Sequence, residues 1–178
     1  MDILIAEPIT NATVNRVLQE ILDRKNSEVG LVDDNIVVYI NSPGGDVEAS
    51  YALYELLKLT GRKIYTYAIN EVFSCAVVIY LAGAERYATN YSHFMIHEPY
   101  HELSDESGVN MTTSAYKRNL EELEDATNEY FKLIAQNTDL TNQKIRNYIN
   151  KTKSGEWHFR GEMAKKVGIV TKIDVPLF

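Results

Sequence analysis

"IVVYINSPGGD", Ile36 to Asp46, is the stretch on which the fold turns. Its first six residues are β-branched and apolar on both faces, the composition of a strand buried between helix layers. "SPGGD" then breaks the strand sharply. Two glycines bring bare backbone N–H groups to the C-terminal edge of a sheet, where open α/β sheets place ligands. Asp46 can cap the helix that follows, which runs through Leu59 and stops at Gly61. Helix N-termini carry partial positive charge, so this edge suits an oxyanion or a phosphate. A turn whose glycines only supply positive φ is the plainer alternative. No Gly-Lys-Ser/Thr follows, so the loop is not of the Walker type.

Strands and helices alternate outward from this point. "DILIAE" reads as a strand, and Thr10 or Asn11 caps a helix carrying Val14, Val17, Leu18, Ile21 and Leu22 at helical spacing. "EVGLVDDN" reads as a loop. "KIYTYAI" is a third strand, "SCAVVIYLAG" a short buried helix, and "RYAT" and "HFMIH" two further strands. A long amphipathic helix runs from Thr112 or Thr113 to about Asn137, with Tyr116, Leu120, Leu123, Tyr130, Phe131 and Ile134 on its apolar side. Thr141 opens another helix, a last one spans Glu162 to Val167 before Gly168, and "IVTKI" is the final strand. This alternation predicts an α/β chain with a parallel sheet or stacked βαβ units. Without a repeat or linker, residues 1–178 read as a single domain, with 113–151 a helical handle that projects toward another subunit. "YHELSDESGVN" is the segment expected to move most.

At 178 residues the chain can bury one sizeable core. Its net charge of −7, from 18 basic and 25 acidic side chains, argues against a nucleic-acid partner, which needs a basic patch. A single cysteine, Cys75, excludes an intrachain disulfide and a cysteine metal cluster and points to a reducing, cytoplasmic setting. "MDILIAEP" has no basic start or long apolar run, so no signal peptide is expected there. The longest apolar run, Cys75 to Ala84, is about half a membrane helix and reads as core.

Four polar positions suit chemistry. Ser74 precedes the short apolar helix, where a nucleophile and an N-capping serine look alike. His97 closes a strand before Glu98-Pro99 and has the pKa range of a general base. His93, His101 and His158 compete with it. Glu156, before the last helix, would orient the histidine as the acid of a Ser-His-acid set, or is an ordinary surface carboxylate. Cys75 is the better intrinsic nucleophile, but one step into a buried helix it turns away from the face Ser74 uses. It reads as a core residue with a free backbone donor.

"INSPGGD", "VFSCAV", "FMIHEP" and "GEWHFRGEMAKKVGIV", in this order, resemble the peptidase subunit of the Clp protease family, as does the opening "LIAEPITNATVNRVLQEIL". The resemblance covers nearly the whole chain. It implies a crotonase-like ββα superhelix with an extended helical segment near 113–137. It also implies a serine endopeptidase that cleaves peptides or unfolded proteins inside a chamber of stacked homo-oligomeric rings. Ser74 matches the nucleophile and His97 the general base. Gly45, 29 positions before Ser74, and Cys75 match the two oxyanion-hole donors, and Glu156 falls at the acid's place. Glutamate stands where the family uses aspartate, with Asp139 a less favoured acid. Phe73 and Cys75-Ala76 replace the usual neighbours of the nucleophile, and the segment between His97 and Glu156 is longer than usual. No metal or cofactor and no membrane are implied. The chain opens directly at its first strand, without the segment that helps the family contact a AAA+ ATPase, so that partner is left open. Three other readings share these residues. They are a catalytically silent assembly subunit, an acyl-CoA enzyme of the crotonase type, and a serine-lysine peptidase, for which no lysine is suitably placed.

Overall fold

The structure, a computed structural model, describes residues 1–27, 35–100 and 112–174. Most of the loop read at "EVGLVDDN" and most of "YHELSDESGVN", including His101, lie outside the described residues.

Strands β1 (Asp2–Ile5), β2 (Ile36–Ser42), β3 (Ile64–Phe73), β4 (Glu85–Ala88) and β7 (Lys172–Ile173) lie side by side in that order, all parallel. Helices α1 (Asn11–Ser27), α2 (Val47–Leu59) and α3 (Ala76–Tyr80) connect the first four, as the alternation predicts. The ten-residue β3 serves two neighbours. Tyr65, Thr66 and Tyr67 pair with β4, whereas Glu71, Val72 and Phe73 pair with β5 (His93–His97). Antiparallel to β5 runs β6 (Glu156–Arg160), followed by α6 (Gly161–Lys166).

β3 is longer than its sequence suggests. The polar pair Asn70-Glu71 looks like a loop, yet the Glu71 amide donates to Asn41 Oδ1 at 3.1 Å and the strand continues to Phe73. The helix read over "SCAVVIYLAG" shrinks to five fully buried residues. β2 also departs from expectation. Ile36, Val38, Ile40 and Ser42 are buried, but Val37, Tyr39 and Asn41 are only half covered. On that second face Tyr39, Tyr67 and Tyr87 stack at 5.5 and 4.4 Å, since tyrosine offers an apolar ring with a hydroxyl that reaches water.

Helix starts follow local capping chemistry. Asp46 accepts from the Ala49 amide at 2.8 Å, Thr112 from Ala115 at 3.2 Å and Thr141 from Lys144 at 3.2 Å. The last two open α4 (Thr113–Gln136) and α5 (Asn142–Asn150). Within α4 the buried residues are Thr127, Tyr130, Phe131 and Ile134, all in its C-terminal half. Tyr116 and Leu120, expected on its apolar side, are exposed in this single chain. Among the described residues, no helix is long and apolar enough to cross a membrane.

Candidate active site

β3 delivers Ser74 to the C-terminal edge of the sheet in a sharp turn. The residue holds φ +54°, a left-handed conformation that costs a side chain about 1–2 kcal/mol and is kept only where surrounding bonds enforce it. The Ser74 amide donates to the Met95 carbonyl at 2.8 Å. Its own carbonyl accepts from Val77 N at 3.0 Å and from the Tyr130 hydroxyl at 2.8 Å. Its side chain caps no helix: the N-cap position of α3 falls on Cys75 and carries no side-chain capping bond. Instead the Ser74 Oγ lies 2.7 Å from Nε2 of His97.

His97 ends β5, where Pro99 favours an extended backbone at Glu98 and stops the strand. Burial lowers its pKa from the usual 6.5. A hydrogen bond to the Glu98 backbone and the negative charge of Glu156 oppose that shift without cancelling it. The imidazole is therefore predominantly neutral at pH 7, the form that accepts a proton.

Glu156 is the cross-strand partner of His97 in the β5–β6 register and lines the same cleft. Its carboxylate does not hydrogen-bond His97. Oε2 meets Nε2 of His158 at 3.1 Å, and the other nitrogen of His158 faces Nε2 of His93 at 3.2 Å. The spacing of two along a strand puts His158 on the same face of β6 as Glu156 and within reach of its carboxylate. Thus the structure supplies Glu156 to His97 as a nearby charge and not as a tautomer-fixing bond. His93 and His158, rivals of His97 on sequence grounds, stand further along the ribbon beside the edge of Phe73. Asp139, the other acid considered, packs on Gly168 and lines no part of the cleft.

Opposite Ser74, Gly44 and Gly45 form the rim. Ile9 bridges them: its amide donates to Gly44 O at 2.8 Å and its carbonyl accepts from Asp46 N at 2.9 Å. With those groups committed to Ile9, the Gly45 amide faces the other way, toward the Cys75 thiol. Only glycine fits here. A Cβ on Gly45 would lie 2.3 Å from Ile9 O, and one on Gly44 would lie 2.7 Å from Ser74 Cβ. Burial pushes the Cys75 thiol up to about 11, against hydrogen bonds from Ser50 and the Gly45 amide, so the thiol stays protonated. That removes Cys75 as a nucleophile and leaves its backbone amide beside the Ser74 hydroxyl.

The cleft has a volume of about 480 Å³. Pro8, Pro43, Val47 and Tyr100 give it apolar walls, while Ser74, His97 and Glu156 supply its polar side chains. Among the described residues, no three His, Cys, Asp or Glu side chains converge as metal ligands. Sequence reasoning missed Tyr130 as a site residue. Its helical spacing marks it as core, which it also is at 2% exposure. Nothing local signals that its hydroxyl meets a backbone 56 residues away.

Comparison with known proteins accords with this architecture. The family model "Clp protease" matches residues 1–175. The ATP-dependent Clp protease proteolytic subunit 2 of Treponema denticola is 30% identical over 138 residues, which are 73% of this chain and 66% of that protein. Its counterpart in Treponema pallidum is 28% identical over 144 residues, 80% of this chain and 67% of that one. The matches thus span about two thirds of these relatives' lengths. Among solved structures, a mutant of ClpP1 from Listeria monocytogenes superposes with a TM-score of 0.79 at 23% identity, covering 99% of this chain and 92% of that one. The fold is therefore the α/β, crotonase-like fold of that structure, as the motifs imply. With a match running almost from end to end, the chain belongs to the Clp protease family.

Proposed function

We propose that this chain is a serine endopeptidase with Ser74 as nucleophile and His97 as general base, working on extended or unfolded polypeptides inside a homo-oligomeric chamber. The observation that carries the reading is the 2.7 Å approach of Ser74 Oγ to His97 Nε2, held by a strained backbone at a glycine-rimmed cleft. The neutral imidazole takes the Ser74 proton as Oγ bonds to the peptide carbonyl carbon, and the carbonyl electrons move onto oxygen. The Gly45 and Cys75 amides receive that oxyanion. A donor of this kind typically contributes about 3 kcal/mol to the transition state. Sulfur is a weak acceptor, so an oxyanion displaces the Cys75 thiol from the Gly45 amide at small cost. The oxyanion collapses, the C–N bond breaks, and the imidazolium of His97 protonates the leaving amine. Water, deprotonated by His97, then releases the acyl group from Ser74. The Glu156 carboxylate stabilises the imidazolium by its charge in both halves of the reaction.

The relatives' names describe proteolytic subunits of ATP-dependent proteases. By the same reading, any energy-dependent unfolding belongs to a separate AAA+ ATPase, and the chain acts in the cytoplasm. Replacing Ser74 by alanine tests the proposal. Labelling by a fluorophosphonate probe disappears and hydrolysis of a small unstructured peptide falls at least about a thousandfold, while the circular dichroism spectrum is unchanged. Full peptidase activity in the folded Ser74→Ala protein overturns it.

A further inference from the structure

The Ser74–Cys75 peptide bond carries two groups with opposite duties. Its N–H, on Cys75, is one of the two proposed oxyanion donors. Its C=O, on Ser74, points away from the reaction. A peptide unit is planar and trans, so these two groups are locked antiparallel: whatever fixes the carbonyl aims the N–H. The carbonyl is fixed from two sides. Val77 N reaches it at 3.0 Å within the turn, and the Tyr130 hydroxyl reaches it at 2.8 Å from α4. The Val77 bond is local, coming from the first turn of α3 three residues along the chain. Among the described residues, Tyr130 is the one that ties the plane to a distant element.

Tyr130 is suited to this task. It is 2% exposed and wedged against Phe131, with ring centroids 5.7 Å apart, so its ring has a set position. Burial drives its pKa well above the usual 10, which keeps the hydroxyl a neutral donor at every working pH. A hydrogen bond to a peptide carbonyl also polarises the N–H at the other end of the unit, making it a stronger donor. Meanwhile Ser74 sits at φ +54°, where the backbone gains from leaving.

We propose that Tyr130 is a positioning residue for the oxyanion hole: by gripping the Ser74 carbonyl it holds the Ser74–Cys75 peptide plane so that the Cys75 N–H faces the developing negative charge. This rests on the serine-peptidase reading above. An interaction that matters when charge appears on the carbonyl oxygen lowers kcat when removed and leaves substrate binding alone. Tyr130→Phe deletes one oxygen and keeps the ring. The variant is expected to lose about tenfold in kcat for a small fluorogenic peptide. KM stays within twofold, and the fluorophosphonate labelling rate falls in step with kcat. Placing para-aminophenylalanine at position 130 restores a donor and recovers most of the rate. Para-fluorophenylalanine fills the space without donating and does not, which serves as the second donorless variant should Tyr130→Phe fold poorly. Donorless variants that keep wild-type kcat with only a lowered Tm, or that change KM alone, overturn the inference. That result is distinct from failure of the underlying reading, which Ser74→Ala decides independently.

Discussion

At the residue scale, the proposed role of His97 as general base carries a pH response. The proposed reaction needs the neutral imidazole, and burial lowers its pKa below 6.5. Activity is therefore complete above the folded-state pKa and is lost as pH falls through it. Plotted against pH, kcat/KM should show an acid limb below 6.5. Glu156 opposes the shift by its charge, so Glu156→Gln removes a negative charge that favours the protonated form. The acid limb of the variant moves to lower pH, and its plateau falls by less than the loss in Ser74→Ala. A limb that moves upward contradicts the electrostatic role. Local sequence did not separate Ser74, His97 and Gly45 from a helix cap, a strand-end histidine and a positive-φ turn; the order of the motifs singled them out, and the structure brings Ser74 and His97 within 2.7 Å. Glu156 was legible as to place but not as to partner. His97, Glu156 and His158 share one face of the β5–β6 ribbon, and no motif records which of the two histidines the carboxylate bonds.

At the element scale, the connections that hold the site were legible wherever the signal was local. Asp46, Thr112 and Thr141 cap helices with their own side chains, and Gly61 and Gly168 take positive φ just past helix ends. The extent of β3 was not legible, because the strand continues past the polar pair through Glu71, whose amide reaches the Asn41 side chain and which pairs with His93 of β5. The same limit hid Arg86. Its guanidinium donates to Ile169 O at 2.6 Å, Gly83 O at 3.0 Å, Gly168 O at 2.9 Å and Asn137 O at 3.2 Å. One side chain on β4 thus clamps the end of α4 to the turn after α6. An ammonium cannot reproduce that fork of donors, so Arg86→Lys leaves several half-buried carbonyls unpaired. The expected loss of stability is about 3 kcal/mol, read from the midpoint of urea denaturation. A loss below about 0.5 kcal/mol would mean that water replaces the guanidinium without cost.

At the scale of the whole molecule, the two halves of α4 differ in what they bury. Its C-terminal half is anchored through Thr127, Tyr130, Phe131 and Ile134, yet the N-terminal half turns Tyr116 and Leu120 outward at 55% and 49% exposure. A helix gains most of its stability by burying an apolar stripe, and a stripe that faces water does nothing for the lone subunit. The proposed homo-oligomer gives those side chains a surface to cover. It also links assembly to chemistry, because the same helix carries Tyr130 to the Ser74 carbonyl at 2.8 Å. Leu120→Glu places a charge on the stripe while leaving every buried residue of α4 in place. The variant should keep its helical circular dichroism, drop to a smaller species in native mass spectrometry and lose peptidase activity in proportion to the dissociated fraction. If it assembles like the wild type, the stripe lies outside the contact surface and the coupling must run through another element.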